Sequence, residues 1–161
     1  MDFLTNFVST YHIQFQIMAH VALAMTLGAI IGIEREVVDK PAGLRTHMLV
    51  AGAAALLTEL STLAIQRFDT GLGGQLVQSD PIRVIEAVIT GVSFLGAGTI
   101  VVRSTKTRVI GLTTAASILF IAAVGICVAL SQEVLAVALA LLVLITLRGL
   151  GFVHKRLGGS E

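Results

Sequence analysis

Five apolar stretches, each about as long as a bilayer core is thick, constrain this chain more than anything else in it. They lie near Gln14–Ile33, Leu44–Ile65, Ile82–Val102, Ile110–Leu130 and Val134–Val153. A helix rising 1.5 Å per residue needs about 20 residues to cross the hydrocarbon. In water, five such helices would each have to be covered on every side, and a chain of 161 residues has too little bulk to do that. Only 13% of its residues are charged and the mean hydropathy is +0.93, whereas soluble domains carry about 25% charge. The expected fold is therefore all-α: a polytopic membrane domain of five transmembrane helices over 14–153, in direct contact with the lipid bilayer.

The flanks and connections fit that plan. In residues 1–13, Phe3, Leu4, Phe7, Val8 and Tyr11 recur at helical spacing among Asp2, Asn6 and Ser9. That pattern reads as an amphipathic surface helix or as an extension of the first span. The segment has no Lys or Arg and so lacks the basic start of a cleaved signal. Lys40-Pro41-Ala42-Gly43 is a turn. Ser79-Asp80-Pro81 places a capping acid before a proline at the first helical position. Ser131-Gln132-Glu133 is short enough to force an antiparallel hairpin between the fourth and fifth helices, and residues 154–161 form a short basic tail. Of the 11 Lys and Arg residues only Arg67 and Arg83 fall on one side of the bilayer. The positive-inside rule then puts the N-terminus outside and the C-terminus inside.

Ionisable groups within spans are costly and call for a local explanation. His20, Glu59 and Glu86 lie on three different helices, each roughly 6–9 Å below the outer boundary. If they face one another they form a cation site, for Mg2+ or H+; otherwise the two carboxylates snorkel outward or pair with Arg83 or His20. Glu86, Thr90, Ser93 and Ala97 recur along one face of the third helix, as do Gly52, Ala55, Glu59 and Thr62 on the second. Both stripes are expected to face protein rather than lipid. Ala24, Gly28 and Gly32 repeat every fourth residue, a close-contact stripe, while Gly91, Gly96 and Gly98 thin the third helix.

The inner layer is richer in charge. Glu34-Arg35-Glu36 ends the first helix, Arg45-Thr46-His47 opens the second, and Thr113, Thr114 and Ser117 begin the fourth. Pairing of Glu34 or Glu36 with Arg45 or Arg103 would pin the helices together here; independent, solvated interface charges are the alternative. Enzyme chemistry is not expected. There is no HExxH, GxSxG or phosphate-binding glycine loop, and no metal-spaced His/Cys cluster, so no resident cofactor is called for. The one cysteine, Cys127, sits in an apolar run, which leaves no intrachain disulfide. A net charge of +1 with no basic, aromatic-bearing patch argues against nucleic acid.

Five segments also resemble the membrane domain of the MgtC/SapB family: Gly32-Ile-Glu-Arg-Glu36, Lys40-Pro-Ala-Gly-Leu-Arg-Thr-His47, Asp80-Pro-Ile-Arg83, Gly91-Val-Ser-Phe-Leu-Gly-Ala-Gly-Thr-Ile100 and Gly111-Leu-Thr-Thr-Ala-Ala-Ser117. They occur in the family's order across roughly residues 20–125. The resemblance implies a bacterial inner-membrane protein tied to magnesium limitation and, in pathogens, to virulence. Such proteins are thought to act on other membrane proteins, an ATP synthase or a magnesium-transporting ATPase, rather than to carry magnesium. It lends importance by position to Glu34, Arg35, Glu36, Gly43, Arg45, His47, Asp80, Arg83, Gly96, Gly98 and Thr114. Ser93 stands where the family usually has glycine, and Phe120 closes a stretch that commonly holds tryptophan. Many members continue into an ACT-like domain, so this chain reads as a short form in which partner binding through the helices is the simplest role. A homo-oligomer is expected, a dimer first among them. The competing functions are a cation or proton pathway through His20, Glu59 and Glu86, and a structural oligomeric scaffold.

Overall fold

The computed structural model describes residues 2–71, 81–103 and 108–156, with side chains over 11–66, 82–100 and 110–149. Five α-helices account for nearly all of this: α1 (Asp2–Val37), α2 (Leu44–Gly71), α3 (Pro81–Gly98), α4 (Leu112–Ala129) and α5 (Glu133–Arg156). Over the described side chains, α1, α2 and α4 each contain a stretch long and apolar enough to cross a membrane: Tyr11–Val37, Leu44–Gln66 and Leu112–Ala129. The all-helical membrane architecture follows. The α1 backbone runs unbroken from Asp2; the side chains that carry its amphipathic start lie outside the described residues, as do Asp80 and the basic tail's side chains.

Sequence explains where the helices stop. At the end of α1, Asp39 takes a left-handed conformation (φ 51°). Its N–H donates to Glu36 O and the Lys40 N–H donates to Arg35 O, which together satisfy the last carbonyls before Pro41. Ser131 (φ 56°) repeats the device between α4 and α5, with Ser131 N–H on Val128 O and Gln132 N–H on Cys127 O.

The third span is shorter than its apolar run suggests. Rather than continuing to Val102, the helix ends at Gly98, where the Thr99 hydroxyl donates to Gly96 O. The β-branched residues that follow form strand β1 (Val101–Arg103), paired antiparallel with β2 (Arg108–Ile110) in register Val101↔Ile110. No strand is expected from the hydropathy pattern, because a three-residue hairpin strand leaves no periodicity to read. Gly111 (φ 98°) then turns the chain into α4, pressed against the Thr99 carbonyl where a Cβ has no room.

α4 is the hub and touches all four other helices. Beyond its first two turns it is apolar all round; Ile121, Val124 and Val128 are fully buried, while Leu119 and Phe120 lie on its open side. α1 and α2 form the tightest pair, α5 rests on α1 and α4, and α3 leans on α2 and α4. Residues from the two ends of the bundle pack separately. His47, Ser117 and Glu34 gather at the end that carries most of the basic residues, here termed the inner end. His20, Glu59 and Glu133 gather at the other.

Candidate functional site

The inner end holds most of the buried polar groups. Glu34, Arg35, His47, Thr114 and Ser117 are all at most 4% exposed, contributed by α1, α2 and α4. Close backbone approach creates the site. A Cβ built on Gly28 would lie 2.6 Å from His47 O, and one on Gly32 would lie 2.6 Å from the Leu44 Cα. With hydrogen at these positions, α2 lies directly on α1, as small residues allow in a bilayer. Gly125 does the same for α4 against the Ala51 carbonyl.

Two polar units fill this end. In the first, Arg35 forks onto its neighbour Glu34: Nη2 donates to Oε1 at 2.7 Å and Nε donates to Oε2. A planar, bidentate pair is the form in which two buried charges compensate best. The second unit is a chain of hydrogen bonds. His47 Nδ1 donates to Gly43 O at 2.9 Å, and Nε2 lies 3.1 Å from Ser117 Oγ, itself 2.8 Å from Thr114 O. Since the Gly43 carbonyl can only accept, Nδ1 carries a proton. The single Ser117 hydroxyl hydrogen then goes either to a neutral Nε2 or to Thr114 O; in the second case Nε2–H donates to Ser117, and the ring is an imidazolium.

The expected pairing of Glu34 or Glu36 with Arg45 does not form. Glu34 is taken by Arg35, and Glu36 Oε2 instead accepts the Leu44 N–H at 2.7 Å, capping α2. A carboxylate at a helix N-terminus satisfies an orphan amide and meets the positive end of the dipole, which outcompetes a solvated arginine. Arg45 is exposed, and the Arg103 side chain lies outside the described residues. Beside the Glu34–Arg35 fork is a cavity of about 620 Å³, bounded by Lys40, Thr113, Thr114 and Leu147.

At the outer end the expected triad does not assemble. His20 Nδ1 is hydrogen-bonded to Glu59 Oε1, and its Nε2 lies 3.7 Å from Glu133 Oε1. Glu86 is absent from this group: α3 packs on α2 and α4 rather than α1, so its carboxyl faces away from the bundle. Among the described residues no group of three His, Cys, Asp or Glu side chains could hold a metal ion. The whole stripe of Glu86, Thr90, Ser93 and Ala97, expected to face protein rather than lipid, is exposed and meets no other helix of its own bundle. Val88, Val92 and Gly96, offset by about half a turn, are buried instead. Apolar valines rather than the polar stripe therefore turn toward α2, where Val88 and Val92 line an apolar cavity. Arg83 is likewise exposed.

The glycines of α3 divide in the same way. Gly96 lies against Ala115, at 3.5 Å from a built Cβ, while Gly91 and Gly98 meet nothing within 4 Å. Gly91 instead borders an apolar cavity of about 550 Å³ between α2 and α3.

Sequence reasoning missed Glu133 and gave Ser117 no partner. Glu133 is the first residue of α5 and is silent in a span-by-span reading; its proximity to His20 depends on α5 docking on α1. The close contact at Gly125 was also missed, since one glycine makes no repeat.

No solved structure matches this chain. Sequence relatives do. SapB of Bacillus subtilis is 32% identical over 92% of this chain and 62% of its own length. MgtC of Salmonella typhimurium LT2 is 33% identical over 82% of this chain and 51% of its own. A protein of Escherichia coli K12 described as putative magnesium transporter YhiD is 44% identical over 63% and 45%. The chain thus spans only 45–62% of the length of these curated relatives. The signature of the MgtC family covers residues 21–156, from just past His20 through the inner polar cluster to the end of α5, and the chain belongs to that family.

Proposed function

We propose that this protein is a non-enzymatic regulator in a bacterial inner membrane, acting through helix contacts on other membrane proteins, a magnesium-transporting or proton-driven ATPase among them, when magnesium is scarce. One observation carries this reading: α3 turns Glu86, Thr90 and Ser93 outward, away from its own bundle. The Thr90 hydroxyl returns to Glu86 O, but the Glu86 carboxyl has no partner among the described residues. A carboxyl left facing hydrocarbon is costly, so a neighbouring helix that supplies a hydrogen-bond donor gains from covering it. The inner polar units, being internally paired, fit a structural latch better than a reaction centre. The family's link to magnesium, in the name of the YhiD relative, points the same way.

The test is affinity capture of the tagged chain from native membranes, with growth of a deletion strain in low magnesium. Recovery of another membrane protein that is lost in Glu86→Leu supports the proposal. Recovery of self-complexes alone, with growth unaffected, would overturn it.

A second reading is favoured by the His20–Glu59 contact, which borders a small cavity of about 180 Å³ near Gln16, Thr62 and Gln66. Here the protein passes a proton or cation. Flux into liposomes that is lost in Glu59→Gln supports it; no flux of protons or Mg2+ by the intact protein removes it.

A further inference from the structure

We infer that the inner-end cavity is a binding site for a phosphate-bearing anion, either the headgroup of an anionic phospholipid or a free phosphate. The inference does not depend on whether the protein acts as a regulator. Glu34 brings a negative charge, but both its oxygens are occupied by Arg35, and the fork is neutral as a unit. That leaves the cavity with Lys40 as an uncompensated cation.

Arg35 has more to give. A guanidinium carries five N–H donors; Glu34 takes one from Nε and one from Nη2, and Nη1 finds no partner among the described residues. The side chain is only 5% exposed and lines the cavity, and no buried side-chain nitrogen among the described residues lacks a partner, so the spare donors meet solvent on the cavity side rather than being sealed in protein. The opposite wall is the start of α4. Gly111 at its N-cap offers no side-chain cap, and the first-turn amides of Leu112, Thr113 and Thr114 belong to the group a helix cannot satisfy internally. Arginine donors, a lysine and an uncapped helix start converging on one space match a ligand with several anionic oxygens.

Size and setting narrow the class. At about 620 Å³ the cavity exceeds a bare phosphate and suits an ester. Its apolar walls, Val38, Ile110 and Leu147, lie where the helices leave the bilayer, and would suit the glycerol and upper acyl carbons of a lipid.

The test uses the full chain, purified in a neutral detergent and stripped of phospholipid. It is titrated separately with inorganic phosphate, phosphatidylglycerol and diacylglycerol, reading thermal unfolding midpoints and bound mass by native mass spectrometry. Phosphatidylglycerol, phosphate or both should bind and raise the midpoint. Binding of the lipid alone assigns a headgroup site, and binding of phosphate assigns a site open to soluble ligands. Lys40→Gln, at an exposed position, should weaken binding about three- to tenfold. The paired substitution Glu34→Gln with Arg35→Gln should abolish it, and if that variant does not fold, Lys40→Gln decides alone. The inference is overturned if neither phosphate compound binds, if diacylglycerol binds as tightly as phosphatidylglycerol, or if affinity survives unchanged in the variants that fold.

Discussion

The two ends of the bundle spend their polar residues differently. At the inner end, α1 and α2 meet backbone to backbone at Gly28 and Gly32, and α4 closes over them, so Glu34, Arg35, His47, Thr114 and Ser117 are shut away and tied to one another. At the outer end, His20 reaches Glu59 and approaches Glu133, but Glu133 is 47% exposed, and α3 leaves Glu86 outside the group altogether. The contrast shows that depth alone does not make a site. Three ionisable residues at one level of a bilayer converge only if helix packing turns them inward, and small residues decide which helices come close enough.

That contrast can be broken from its strongest point downward. Arg35→Gln removes one half of a buried fork and strands the Glu34 carboxylate; a loss of about 3–5 kcal/mol is expected in detergent unfolding titrations. Adding Glu34→Gln should restore part of that loss, and a double variant less stable than the single would show that the fork is not the compensated pair described. Gly28→Leu should cost about 1–3 kcal/mol or more, because even its Cβ meets the His47 carbonyl, which cannot swing aside as a side chain can. The outer end should respond less. A double-mutant cycle on His20→Gln and Glu59→Gln should give a coupling of about 0.6 kcal/mol, typical of polar contacts between membrane helices. Coupling of several kcal/mol would place the outer pair on a par with the inner fork. Gly91→Ala should change the stability of the isolated chain by less than about 0.5 kcal/mol, since its Cβ enters open space. A large loss there would mean that α3 packs against something the single chain does not supply.

Much of the fold was legible because hydropathy is a local property. The segments Leu44–Ile65 and Ile110–Leu130 coincide with α2 and α4 apart from their ends, and the turn signals at Pro41, Pro81 and Ser131 lie where helices begin or stop. The misplaced end of α3 is instructive, because Thr99 to Val102 is as apolar as a span. It leaves the helix through glycine flexibility and β-branching, which an average over about 20 residues cannot register. The site was legible in its residues but not in its partners. Glu34, Arg35 and His47 were singled out; that Glu34 would bind its own neighbour, leaving Glu36 to cap α2, depends on where Leu44 comes to rest.

By itself the sequence determined the solvent this chain belongs in, its helical class, the asymmetry of charge between its ends and its family. Each of these is written in composition or in short ordered motifs. Only the tertiary structure decided which polar stripe faces in, that Glu133 rather than Glu86 stands beside His20, and that Gly28, Gly32 and Gly125 lie on neighbouring backbones while Gly91 lies on nothing. The physical reason is that a helix in lipid gains little hydrophobic energy by turning one apolar side or another toward its neighbours. Its rotation is set by how well side chains and bare backbone fit the helices beside it, and that fit belongs to the assembled bundle rather than to any one segment.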